Sequence, residues 1–252
     1  MSDGESLAAF LLSLADDRLI LGHRLSEWCG HGPILEEDIA LTNISLDLIG
    51  QANLLLELAG RIEGQGRSAD ALAYFREAVE FRNMLIVELP RGDFAFTVAR
   101  QFLVSLFAVL HLDRLQHSRH AHLAGIAAKA LKEARYHARH GADWVLRLGD
   151  GTEESHHRIQ AAFEELWRYA GEMFEMDEAE RALAADGVAV ERAGLLEPWK
   201  QEVSRVMGAA TLTVPADGFM HRGGREGRHT EHLGHLLAEM QIVARSFPGA
   251  EW

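Results

Sequence analysis

LEEDIALTNISLDLIGQANLLLELA, residues 35–59, decides the fold. Ile39, Leu41, Ile44, Leu46, Leu48, Ile49, Leu54, Leu55, Leu56 and Leu58 fall on every side of a 3.6-residue spiral. A helix that is apolar nearly all round has to be central and buried. One polar line interrupts it, Asn43, Asp47 and Gln51 at i, i+4 and i+8, which shares one helix face.

A buried helix needs apolar neighbours, and the flanking sequence supplies them. Leu7, Phe10, Leu11, Leu14, Leu21, Leu25 and Trp28 describe one face of a first helix, stopped at Gly30 and Pro33. Ser68 reads as the N-cap of a helix running to about Leu89, ended by Pro90 and Gly92. Further helices follow over about Phe94–Leu115, with FLVSLFAVLHL at its heart, and Ser118–Leu148, stopped by Gly149. Thr152 caps a sixth helix, whose apolar face runs through Ile159, Phe163 and Leu166. Shorter helices are expected over Asp177–Ala185 and Leu195–Met207. An irregular stretch from Thr211 to His229 precedes a last helix, capped by Thr230 and finished before Pro248. No strand alternation, internal repeat or low-complexity tract is visible. The expectation is an all-α protein, a single domain over 1–252. Its core bundle lies at about 35–148, with additional helices at 1–30 and 152–252.

Composition narrows the class. The 252 residues are 48% apolar and 25% charged, with five prolines and one cysteine, as in an ordinary globular protein rich in helix. Cys29 alone excludes an intrachain disulfide and fits a reducing compartment; beside Trp28 it reads as a packing residue. The net charge of −13 argues against nucleic acid or anionic membrane as a partner. That charge is uneven. Residues 1–60 carry 2 basic and 10 acidic side chains, residues 61–150 carry 13 and 10, and residues 151–252 carry 10 and 18. The acidic start MSDGESLAAFLL lacks the basic region of a signal peptide, and the longest uncharged run, Gln101–Leu112, is too short to cross a bilayer. A cytoplasmic protein is expected.

Carboxylates on central helices raise one specific chemistry. Ferritin-like di-iron proteins take single carboxylates from two helices and Glu-x-x-His from the other two. Here Asp47 could be a first carboxylate. Glu80 has Asn83 at i+3, and Glu133 has Tyr136 at i+3 with His137 at i+4. The helix over 94–115 offers no mid-helix acid, only Gln101, with Asp113 near its end. Amide and phenol groups are poor replacements for imidazole on iron, and Lys132 beside Glu133 could supply a cation instead. The outline of a di-iron site is present with a broken ligand set, so no catalytic, cofactor or metal residue is assigned. In HTEHLGHLLAE, Glu231, His232, His235 and Glu239 lack the zinc spacing His-Glu-x-x-His, and the apolar series Leu233, Leu236, Leu237, Met240, Val243 explains the helix. The arginine-rich loop 218–229, with Arg222, Arg225 and Arg228, leads into a helix N-terminus and could hold an anion or dock on a partner.

Several long strings, taken together, resemble one family. They are LILGHRLSEWCGHGPILEEDIALTNISLDLIGQANLLLELAG, GDFAFTVARQFL, KALKEARYHARHGADWVLRLGDGTEES and GREGRHTEHLGHLLAEMQ with the closing PGAEW. The chain, from about Leu19 to Trp252, resembles the PaaC family, the structural subunits of bacterial phenylacetyl-CoA 1,2-epoxidase. The resemblance implies a ferritin-like fold and a place in an NADPH- and O2-dependent monooxygenase of aerobic phenylacetate degradation. It further implies a non-catalytic role beside a paralogous catalytic subunit, PaaA, which carries the di-iron centre. The complex's small accessory subunit and its reductase are further candidate partners. Two other functions are compatible with the residues: a di-iron oxygenase in its own right, using Asp47, Glu80, Glu133 and His137, and an acyl-CoA-binding helical module.

Overall fold

The structure is a computed structural model that describes residues 3–250. Among them every regular element is a helix. Ten α-helices follow one another: α1 (Asp3–Ser26), α2 (Leu35–Glu63), α3 (Ala69–Tyr74), α4 (Leu85–Glu88), α5 (Phe94–Leu115), α6 (Ala121–Gly149), α7 (Glu153–Trp167), α8 (Glu178–Ala185), α9 (Leu196–Ala209) and α10 (Glu231–Ser246). They fall into two compact units, residues 1–90 with 222–252, and residues 91–221.

The first unit is built on the hairpin of α1 and α2. Leu11, Leu14, Leu21 and Leu25 of α1, with Leu41, Ile44, Leu55 and Leu56 of α2, are buried. Ser45 Oγ donates to the Gly22 carbonyl at 2.7 Å, tying the two backbones together. α10 closes the unit through Leu233, Leu236 and Leu237.

The second unit is built on α5 and α6, covered by α7 and α9. α5 is buried over most of its length, as its all-round apolarity requires. Both α2 and α5 are long and apolar enough to cross a membrane; the apolar window of α5 is 83% buried within the protein, that of α2 44%. Gly141 of α6 lets the helices approach closely, since a Cβ there would stand 3.0 Å from the Phe102 Cα. Trp199 anchors α9: its Nε1 donates to the Leu103 carbonyl at 3.0 Å, and its ring stacks on Trp167 with centroids 5.4 Å apart. Such rings bury large apolar areas while satisfying their one polar atom.

Expected and observed helices agree at most places. Ser68, Thr152 and Asp177 cap as their residue types suggest, accepting from Ala71 N, Ser155 N and Glu180 N. The helix expected over 68–89 is corrected. It exists only as α3, a single 3₁₀ turn at Ala78–Glu80, and the one-turn α4. Its backbone groups are satisfied from outside instead. Gln241 donates to the Ala73 and Arg76 carbonyls, Arg245 to those of Tyr74 and Arg76, while Asp16 and Asp17 accept from Arg82 N and Met84 N. In consequence the long helix paired with α2 is α1, placed outside the core by the sequence reading. Thr230 precedes α10 without a side-chain cap. Cys29 is also corrected: it is exposed, because α1 ends at Ser26 and the following turn packs Trp28 instead.

Candidate functional site

The densest polar chemistry lies in the first unit, and it starts from three consecutive charges. Asp16, Asp17 and Arg18 stand mid-way along apolar α1, exposed by only 0%, 6% and 8%. Buried charges persist only when paired and hydrogen-bonded. Asp16 takes a fork from Arg76 through both of its oxygens, and Arg82 N donates to its Oδ2 at 2.9 Å. Asp17 accepts from Met84 N at 2.8 Å and from Arg225 Nη2 at 2.7 Å. Arg18 reaches Gln51 Oε1 at 3.1 Å and the Leu14 carbonyl at 2.7 Å. Burial pulls the Arg18 guanidinium below its ordinary pKa, Asp17 opposes that, and Arg225 adds to it. Burial likewise lowers His23 on the same helix.

Glu88 is the second centre of this network. Fully buried, it accepts from Thr230 N at 2.6 Å on Oε1, and from Asn83 Nδ2 at 2.8 Å and His229 Nδ1 at 2.7 Å on Oε2. The other nitrogen of His229 faces the Phe81 carbonyl at 3.0 Å. Both ring nitrogens of His229 thus face oxygens, one of a carboxyl group and one of a backbone carbonyl, an arrangement in which an imidazolium would donate to both. Arg24 binds the Glu88 and His232 carbonyls.

The arginine-rich loop is part of this network. Arg225 turns inward to Asp17 and to the Ser13 and Arg82 carbonyls, while exposed Arg228 pairs with Glu226. Arg222 is exposed. Gly224 has to be glycine because a Cβ there would lie 2.2 Å from the Asn83 carbonyl oxygen. The loop's chemistry is therefore internal at Arg225 and Gly224, and the signal that could have revealed it is DDR set in the apolar run LADDRLIL.

The di-iron candidates are scattered by this arrangement. Glu80 is exposed, and its Oε2 accepts from Glu77 N in a local cap. Asn83 is buried and donates to Glu88 and the Met84 carbonyl. Asp47 is half-buried on α2; of its polar line, Asn43 is exposed and Gln51 is buried against Arg18. In the second unit, α6 turns His137 to the interior, 2% exposed, with Glu133 half-buried one turn before it, and leaves Tyr136 exposed. Among the described residues no three or more His, Cys, Asp or Glu converge as metal ligands. Glu231, His235 and Glu239 are exposed, while Leu233, Leu236 and Leu237 of the same helix pack inward.

Comparison with known proteins gives this polar core a family. The profile described as "Phenylacetic acid catabolic protein" matches residues 2–252. The chain belongs to that family. It is also similar to a subunit of the 1,2-phenylacetyl-CoA epoxidase of Escherichia coli (strain K12), 47% identical over 246 residues, which span 98% of this chain and 99% of that one. Family membership thus covers both units, with the residues that fill the polar core and those of α6 inside the matched region.

Proposed function

We propose that this chain is a structural, non-catalytic subunit of a phenylacetyl-CoA 1,2-epoxidase, with a ferritin-like fold, acting in phenylacetate degradation. The likeness to the E. coli epoxidase subunit over nearly the whole of both chains carries this reading. In it, the chain holds a di-iron catalytic subunit in productive shape and contributes no metal ligand of its own. The small accessory subunit and the reductase complete the complex, which works in the cytoplasm.

The side chains themselves support that division of labour. A di-iron centre needs carboxylates and imidazoles aimed at one point. Glu80 is turned to a local cap, Asn83 is an amide bonded to Glu88, and Tyr136 faces solvent. These residues do not fit the metal pair. Asp16, Asp17 and Glu88, the carboxylates of the buried network on α1 and α4, are bound by Arg76, Arg225 and His229. Ion pairs of this kind engage the carboxylate oxygens and fix their geometry.

The test is co-expression with the catalytic subunit followed by size-exclusion chromatography, metal analysis and turnover. A stable complex is expected, with the catalytic subunit insoluble or inactive when this chain is omitted. Full turnover without this chain, or about two irons per chain in the purified protein, overturns the proposal.

A further inference from the structure

The outward face of α6 runs against the charge of the molecule. From Lys129 to Arg147 its exposed residues are Lys129, Lys132, Arg135, Tyr136, Arg139, Asp143 and Arg147. Five cations and one carboxylate therefore line about 27 Å of helix, on a chain whose net charge is −13. Arg135 shares an exposed pair with Asp113 at 3.1 Å, whereas Lys129, Lys132, Arg139 and Arg147 make no ion pair among the described residues. Arg139 lies over the Tyr136 ring, 6.0 Å from its centroid. Beside this ridge, within the second unit, α5, α6 and α9 enclose a groove of about 380 Å3. Phe102, Leu106 and Val206 form its apolar side. Its charged rim is Arg135, Arg139 and Asp143 of α6 with Glu202 and Arg205 of α9, which pair with each other, so that Arg139 is the rim cation without an ion pair among the described residues.

We propose that this ridge docks an acidic helical face of another protein subunit, whose carboxylates meet Lys129, Lys132 and Arg139 while an apolar side chain enters the groove. The proposal rests on the reading of the chain as a subunit of the epoxidase and names the surface chemistry of one contact. Charge complementarity selects the occupant. The cations are exposed and strung along a line, an arrangement that matches a charged helix rather than a small anion, which calls for donors converging on one point. Arg and Tyr at the middle of the ridge are the residue types that dominate interface energies, with lysines at the end. The overall negative charge steers anionic membrane away, while a local patch still draws an acidic protein face.

The test is size-exclusion chromatography and titration of the co-expressed epoxidase subunits with wild-type chain and with the triple variant Lys129→Glu/Lys132→Glu/Arg139→Glu. All three side chains are exposed, so the variant should match wild type in circular dichroism and melting temperature. Expected is a partner subunit that binds wild type at about 50 mM salt, weakens at about 500 mM, and binds the variant at least about 100-fold more weakly at low salt. Tyr136→Ala should weaken the same contact without altering its salt dependence. Complexes that form with wild type and variant alike, at both salt concentrations, overturn the ridge and leave the subunit reading standing. Failure of any subunit to join the wild-type chain overturns both. Sedimentation of the wild-type chain with phosphatidylserine vesicles, lost in the triple variant, overturns the protein partner in favour of a lipid surface.

Discussion

Residues 68–90 and residues 94–115 carry similar promises and keep them differently. Both open on a capping side chain, both run about 22 residues, and both are rich in helix-compatible apolar residues. The second becomes one unbroken helix, α5, in which successive turns satisfy one another's backbone. The first breaks into α3, a 3₁₀ turn and α4, and its free amides and carbonyls bond to Asp16, Asp17, Arg24, Gln241 and Arg245. Helix periodicity describes where side chains would go; it says nothing about who else can take the backbone's hydrogen bonds. Where long-range donors and acceptors are provided, an irregular path is as well satisfied as a helix.

The irregular segment should therefore depend on its outside partners far more than α5 depends on its polar side chains. The largest effect is expected at Glu88. Glu88→Ala leaves Thr230 N, Asn83 Nδ2 and His229 Nδ1 without their partner in a buried place. Breaking a buried charged network from one side costs about 3–5 kcal/mol, measurable as a lower midpoint in urea. Limited proteolysis should find the loop before α10 newly cut. A loss below about 1 kcal/mol would mean that the network is ornamental to the fold. Next comes Gly224→Ala, whose methyl would meet the Asn83 carbonyl at 2.2 Å. The 83–85 backbone has to shift, and overpacking of this kind costs about 1–3 kcal/mol by the same denaturation assay.

The two segments also show which features sequence can carry. α5 was legible in both boundaries, because Pro90 and Gly92 end what precedes it and its apolar run needs no neighbour to explain it; the structure adds Asp93 as its cap. α2 and α6 were legible as long helices from periodicity, but α2 is not buried all round as its apolarity suggested, since Leu35, Ile39 and Leu46 are exposed, and α6 begins at Ala121 rather than Ser118. The 68–90 path was not, since its determinants are Asp16 and Asp17, some 60 residues earlier, and Arg225, Gln241 and Arg245 near the other end. The substitutions at Asn83 and Tyr136 were readable as departures from Glu-x-x-His, but their neighbours were not. Asn83 bonds Glu88, a residue outside the motif, and Glu80 leaves the helical face on which the motif depends. The DDR of α1 points inward, against the usual rule that a charge run marks a solvated face.

A smaller effect sharpens the contrast at the two starting points. Ser68 Oγ accepts from Ala71 N at 3.1 Å, and Asp93 Oδ1 accepts from Phe96 N at 2.8 Å. Asp93 brings a charge to the positive end of a 22-residue helix, whereas Ser68 heads one of six residues. Asp93→Ala should cost about 1–2 kcal/mol and Ser68→Ala about 0.5–1 kcal/mol. Equal losses would argue that the two segments begin alike and diverge only later.

The smallest change is expected inside α5 itself. Gln101 and Ser105, both buried, bond to each other at 2.7 Å. Gln101 Oε1 has no hydrogen-bond partner within the described protein. Replacing both members of a buried pair with apolar groups of similar shape removes donor and acceptor together and leaves no orphan behind. The double variant Gln101→Leu/Ser105→Ala should therefore unfold within about 1 kcal/mol of wild type, on either side of it. Gln101→Leu alone deprives only Ser105, a hydroxyl that can turn to a helix carbonyl one turn back. A loss near that of Glu88→Ala in the double variant would show that α5 too is held by its polar side chains, and the distinction between a self-satisfied helix and an externally satisfied path would fail.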